Sequence, residues 1–125
     1  MFAPIFAIAS ADPGVTALIG TGAPGDPVRL FPFGEAPEGV QLPYAVWRNI
    51  TGGPENHLNS RPKADAFSLQ VDIYGGSAAS VRAVNLALNN ALETHGHITR
   101  WGRENRDKDT GNYHFDFDID FIEYR

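Results

Sequence analysis

The sequence predicts an α+β domain. Its sheet is antiparallel or mixed, with four to five strands, and one face is covered by an N-terminal helix and a long helix near 77–94. Two stretches lead to this reading. Residues 66–97 run AFSLQVDIYGGSAASVRAVNLALNNALETHGH, a strand, a Gly-Gly turn and a helix in succession. Residues 113–125 run YHFDFDIDFIEYR, in which Phe115, Phe117, Ile119 and Phe121 alternate with Asp116, Asp118 and Asp120. Alternation with period two marks a strand with one buried face, and a period of 3.6 marks a helix with one buried stripe.

Residues 3–10 have helix character, with Pro4 suited to the first turn. Asp12 can cap a second short helix, with Pro13 at its first position and Gly20 at its end. Residues 21–27 are turn chemistry. Residues 28–33 read as a short strand that Pro32 assigns to an edge. A proline-containing loop, 34–42, leads to a second clear strand at 43–51. Tyr44, Val46, Arg48 and Ile50 alternate there with Ala45, Trp47 and Asn49, and neither face is purely polar, as expected of a strand with partners on both sides. The polar segment GGPENHLNSRPKA at 52–64 reads as a protruding loop, long for a compact domain.

In the organising stretch, Phe67, Leu69, Val71 and Ile73 share one face of the strand. Ser77 can cap the helix. Val81, Val84, Leu88, Ala91 and Leu92 fall within an arc of about 100°, the width of a core-facing stripe. Gly96 reads as the residue that stops the helix. Residues 98–104 read as a strand and 105–112 as a turn.

The bulk numbers fit one domain over 1–125. A chain of 125 residues with 42% hydrophobic and 20% charged content buries a modest core. A net charge of −5 and a pI near 5.2 leave no basic footprint for gripping nucleic acid. No cysteine means no disulfide, no thiolate metal site and no cysteine nucleophile. No apolar run approaches the roughly 20 residues of a membrane span. Ala9, Ser10 and Ala11 resemble a signal cleavage site, but no Lys or Arg precedes them and the apolar run is short. Asn49, Ile50 and Thr51 then read as a chance sequon.

No nucleophile elbow, Walker loop or dinucleotide fingerprint occurs, so the sequence carries no convergent catalytic set and implies no cofactor. Asp116, Asp118 and Asp120 share one strand face at spacings of about 7 Å. Parallel side chains on one strand diverge, so the row reads as a solvated acidic face rather than a metal site. His57, His95, His97 and His114 have only weak ligand spacing. Gly75, Gly76 and Ser77 open a helix, but a tight strand-to-helix turn explains them without an anion. Leu86 lies about 140° from Val81, among Arg82, Asn89, Asn90 and Glu93, with Ala79 and Ala83 leaving room beside it. A subunit contact there is an expectation.

The order of motifs resembles phage tail completion proteins, also described as tail terminator or tail-to-head joining proteins. The opening PIFAIASADPGVTALIG carries Asp12, Val15, Leu18, Ile19 and Gly20 in the family's spacing. Arg29, Leu30, Phe31 and Pro32 follow, then Leu42, Pro43 and Tyr44 before a strand. Next come Leu69, Gln70, Val71, Asp72, Ile73 and Tyr74, a small-residue turn and an Ala-rich helix. The resemblance covers nearly the whole chain, and its specificity lies in the ordered combination. It implies a structural virion protein, not an enzyme, built into the tail or neck and assembled in the host cytoplasm. Such proteins form a ring, usually a hexamer, at the head-proximal end of a tail tube. The implied partners are further copies of the chain, the tail tube protein, the head-tail connector or stopper, and DNA passing through without sequence-specific binding; no membrane is implied. On this reading Leu86, Arg82, His57, Arg61 and Lys63 are candidate subunit or tube contacts, and Asp116, Asp118 and Asp120 a candidate lumen lining. The alternative is a non-viral ligand- or protein-binding α+β domain.

Overall fold

A computed structural model describes the backbone of residues 4–54 and 64–124. The elements in order are α1 (Ile5–Ser10), α2 (Pro13–Ile19), β1 (Leu30–Pro32), β2 (Tyr44–Pro54), β3 (Ala64–Gly75), α3 (Ala78–Leu92), β4 (Gly96–Trp101), β5 (Asn105–Arg106) and β6 (Tyr113–Tyr124). The strands form one sheet in the order β1-β2-β3-β6-β4, with the two-residue β5 also paired to β6. The β1–β2 pair is parallel and the others antiparallel. The sheet is therefore mixed, and β2 has a partner on each side.

α2 and α3 start at side-chain caps. Asp12 accepts hydrogen bonds from the Gly14 and Val15 amides at 2.8 and 3.1 Å, and Pro13 stands in the first turn of α2. Ser77 accepts from the Ser80 amide at 3.1 Å at the start of α3. Gly20 ends α2 with a φ of 120°; a Cβ there would meet the Pro27 carbonyl, so the chain can turn closely only with glycine.

All three helices lie on one side of the sheet. The α3 stripe of Val81, Val84, Leu88, Ala91 and Leu92 is buried against Leu69, Val71 and Ile73 of β3 and Phe117, Ile119 and Phe121 of β6. Ile5 and Ala9 of α1 and Val15 and Ile19 of α2 complete this layer. Each large side chain removed from water there contributes about 1.5–3 kcal/mol, which makes the β3–α3–β6 unit the centre of stability. The buried Arg29 ties the first half to it. Its Nε donates to the Pro43 carbonyl at 2.9 Å and its Nη2 to the Leu18 carbonyl at 3.2 Å, joining α2, β1 and the approach to β2.

Three expectations change. The strand read at 98–104 runs instead from Gly96 to Trp101, and Asn105 and Arg106, read as part of a turn, pair with His114 and Tyr113 of β6. The strands flanking the polar loop run further than their alternation indicated, to Pro54 and from Ala64, and Gly53 pairs with Ala66. The ladder of β3 with β6 continues past the start of β4, where Gly96 pairs with Phe121. The remainder of the loop lies outside the described residues. Gly96 does not stop the helix. It begins β4, and a Cβ there would come within 2.7 Å of the Asp120 carbonyl and 2.9 Å of the Phe121 ring. Glycine is needed for strand approach, not for a left-handed cap.

Candidate functional site: an open sheet face and an edge cavity

The sheet face opposite the helices carries a connected polar layer. The cross-strand register places Tyr44, Tyr74 and His114 in one row, and their rings stack at 5.0 and 4.9 Å between centroids. Phe31 extends the row edge-on to Tyr44 at 6.4 Å. Burial raises the phenol pKa of both tyrosines, so they remain neutral.

Beside this row runs a chain of hydrogen bonds. His114 Nε2 lies 2.8 Å from Asp72 Oδ1. The Gln70 amide donates to Asp72 and, at 3.3 Å, to Asp116 on the neighbouring strand. Arg48 donates to the Gln70 side-chain carbonyl at 3.0 Å. Arg100 of β4 donates to Asp116 and Asp118, and Ser68 donates to Asp120. Burial pushes the Asp72 carboxyl up, but the bonds from His114 and Gln70, with the charges of His114 and Arg48, together hold it below its ordinary value. The bonds to Asp118 and Asp116 raise the already high pKa of Arg100.

The acidic row of Asp116, Asp118 and Asp120 is thus on the open face, as alternation requires, but it is not bare. Asp116 and Asp118 side chains are only 17% and 16% exposed and share one guanidinium. Sequence reading missed Arg100, Gln70 and Asp72 as partners of the row. A β-bulge between Ile98 and Arg100 hides the first of these, because unbroken alternation would put both on the same face. The other described histidines, His95 and His97, make no hydrogen bond to this network. His95 lies beside Thr94 Oγ1, and His97 pairs in register with Asp120. Among the described residues no group of three or more His, Asp or Glu is arranged to hold a metal ion.

A second feature lies where α3 starts beside β5 and β6. A cavity of about 300 Å³ opens there between Ala78, Val81 and Tyr113. Arg82 and Arg106 line it, and Arg82 is locked to Glu104 by bonds of 2.7 and 2.9 Å. Leu86, one helical turn beyond Arg82, is 63% exposed. The remaining candidates, His57, Arg61 and Lys63, lie outside the described residues. No helix among the described residues is long and apolar enough to cross a membrane.

The comparisons give this two-layer fold with its networked open face a class. A chain in the structure described as "Virion of native gene transfer agent (GTA) particle" superposes with a TM-score of 0.61, over 97% of this chain and 92% of that one, at 14% identity. That likeness carries the fold. A family model described as Tail completion protein gp17 matches residues 3–124. The chain belongs to this family, as the order of its motifs implied, and is a component of the tail of a phage or phage-like virion. No curated protein matches it in sequence.

Proposed function

We propose that the protein closes the head-proximal end of a tail tube as a ring of identical subunits, ends tube polymerisation and joins the tail to the head connector. The observation that carries this reading is the family match from residue 3 to residue 124, which takes in the whole sheet and every helix rather than one module. It argues against the non-viral binding domain.

In this reading the ring is hexameric, meets the tube protein on one side and the connector or stopper on the other, and lets DNA pass. Asp116, Asp118 and Asp120 are the proposed lumen lining. Four carboxylates on the open face, those three and Asp72, stand against Arg48 and Arg100. A mildly anionic wall does not grip phosphates, because like charges repel and no counterions are released. Leu86 and Arg82, with His57, Arg61 and Lys63 of the 52–64 loop, are the proposed subunit or tube contacts.

Electron microscopy of particles produced without this protein tests the role. The expected result is unjoined tails with tubes of uncontrolled length. Joined tails of normal length would refute it.

A further inference from the structure

A closed ring of identical subunits needs two different, complementary patches on each chain. The described residues carry such a pair at opposite edges of the sheet. At the β5 edge is the cavity of about 300 Å³, with Ala78, Val81 and Tyr113 as its apolar wall. Its volume is at the small end for ligand sites and suits one large side chain. Glu104 is taken by Arg82. Arg106 lies 5.3 Å over the Tyr113 ring and has no carboxylate partner among the described residues. Its Nε donates to the Gly111 carbonyl at 3.4 Å, so the cavity offers an aromatic-lined wall and a guanidinium that no carboxylate neutralises.

At the β1 edge the chain presents the converse. Phe33 follows β1 and is 69% exposed, the highest value among the exposed large apolar side chains. Glu35 and Glu38 follow two and five residues later, exposed and without a cationic partner among the described residues. An exposed aromatic beside an unpaired carboxylate is complementary to an apolar pocket beside an unpaired arginine.

We infer that the 33–38 segment of a second copy seats in this cavity, with Phe33 against Ala78, Val81 and Tyr113 and Glu35 on Arg106. The contact is heterologous and passes from one sheet edge to the other, so it repeats around a ring. An aromatic anchor in a pocket with an arginine beside it is the composition of an interface hot spot. Arg82 and Leu86 extend the receiving surface along α3, since residues four apart share a helix face. The inference rests on the ring reading and names the surfaces that would close it.

The chain has no cysteine, so an introduced pair reports contact cleanly. Ala36→Cys and Asn105→Cys place one thiol beside each patch without removing Phe33, Glu35 or Arg106. Lying at opposite edges, the two thiols do not meet within one subunit. Mild oxidation of the purified double variant is expected to give a ladder of covalent oligomers that neither single variant gives. Adding Phe33→Ala is expected to cut the ladder yield roughly tenfold. Native mass spectrometry of the cysteine-free protein separates the outcomes. A ring without a ladder overturns this interface and leaves the ring reading standing. Neither ring nor ladder overturns both.

Discussion

Arg100 grips Asp118 at two points, Nε to Oδ2 at 2.8 Å and Nη2 to Oδ1 at 3.0 Å, and the same Nη2 reaches Asp116 at 2.8 Å. One guanidinium on β4 thus neutralises half the charge of two adjacent carboxylates on β6. The geometry depends on the planar fork of arginine, which a lysine ammonium does not reproduce. Arg100→Ala is expected to lower stability by about 1–2 kcal/mol, a modest value because Arg100 is itself partly exposed. Arg100→Lys should recover less than half of the loss. Urea midpoints of the three proteins check this, and equal midpoints would show that the fork contributes nothing.

Acid should weaken the same face through Asp72. Its native pKa is lowered, so the unfolded chain takes up a proton first as pH falls. The contribution is fully present above about pH 4, the ordinary carboxylate range. It is lost as pH drops through the lowered native value. Asp72→Asn lacks this titration and should show a shallower loss of urea midpoint between pH 6 and pH 3 than the wild type. Parallel pH profiles would contradict the role given to Asp72.

Gly96 has no space for a side chain. A Cβ would press on the Asp120 backbone carbonyl at 2.7 Å and on the Phe121 ring at 2.9 Å, and neither belongs to a flexible side chain that can swing aside. Gly96→Ala should cost about 1–3 kcal/mol, as overpacked sites do. Gly76→Ala, where nothing lies within 4 Å of the added atom, is the matched control and should cost much less. The melting temperatures of the pair provide the comparison.

These sites explain which parts of the molecule could be read from the chain. The faces of β3, α3 and β6 were legible because each element carries its own periodicity and buries the face that periodicity marks. Asp12 and Ser77 were legible because caps act within three residues. The Arg100 site was not, since the bulge before it reverses the face on which Arg100 emerges. The role of Gly96 was hidden because a glycine after a helix suits a C-terminal stop equally well, and only the approach of β6 decides. The edge cavity is built from α3, β5 and β6, so no local pattern announces it.

Leu86 offers the cleanest separation of folding from assembly. It is 63% exposed on α3, one turn beyond Arg82 and outside the buried stripe. Substituting Glu keeps good helix propensity and removes no core contact, so folding stability should stay within about 0.5 kcal/mol of the wild type. Assembly should respond, because the new carboxylate faces the acidic 33–38 segment of the inferred neighbour. The expected result is an unchanged urea midpoint with a shift from the proposed ring to monomer in native mass spectrometry. Leu86→Ala, which removes apolar area without adding charge, should fall between the two. If Leu86→Glu assembles as the wild type does, Leu86 faces solvent in the ring and the receiving surface ends at Arg82.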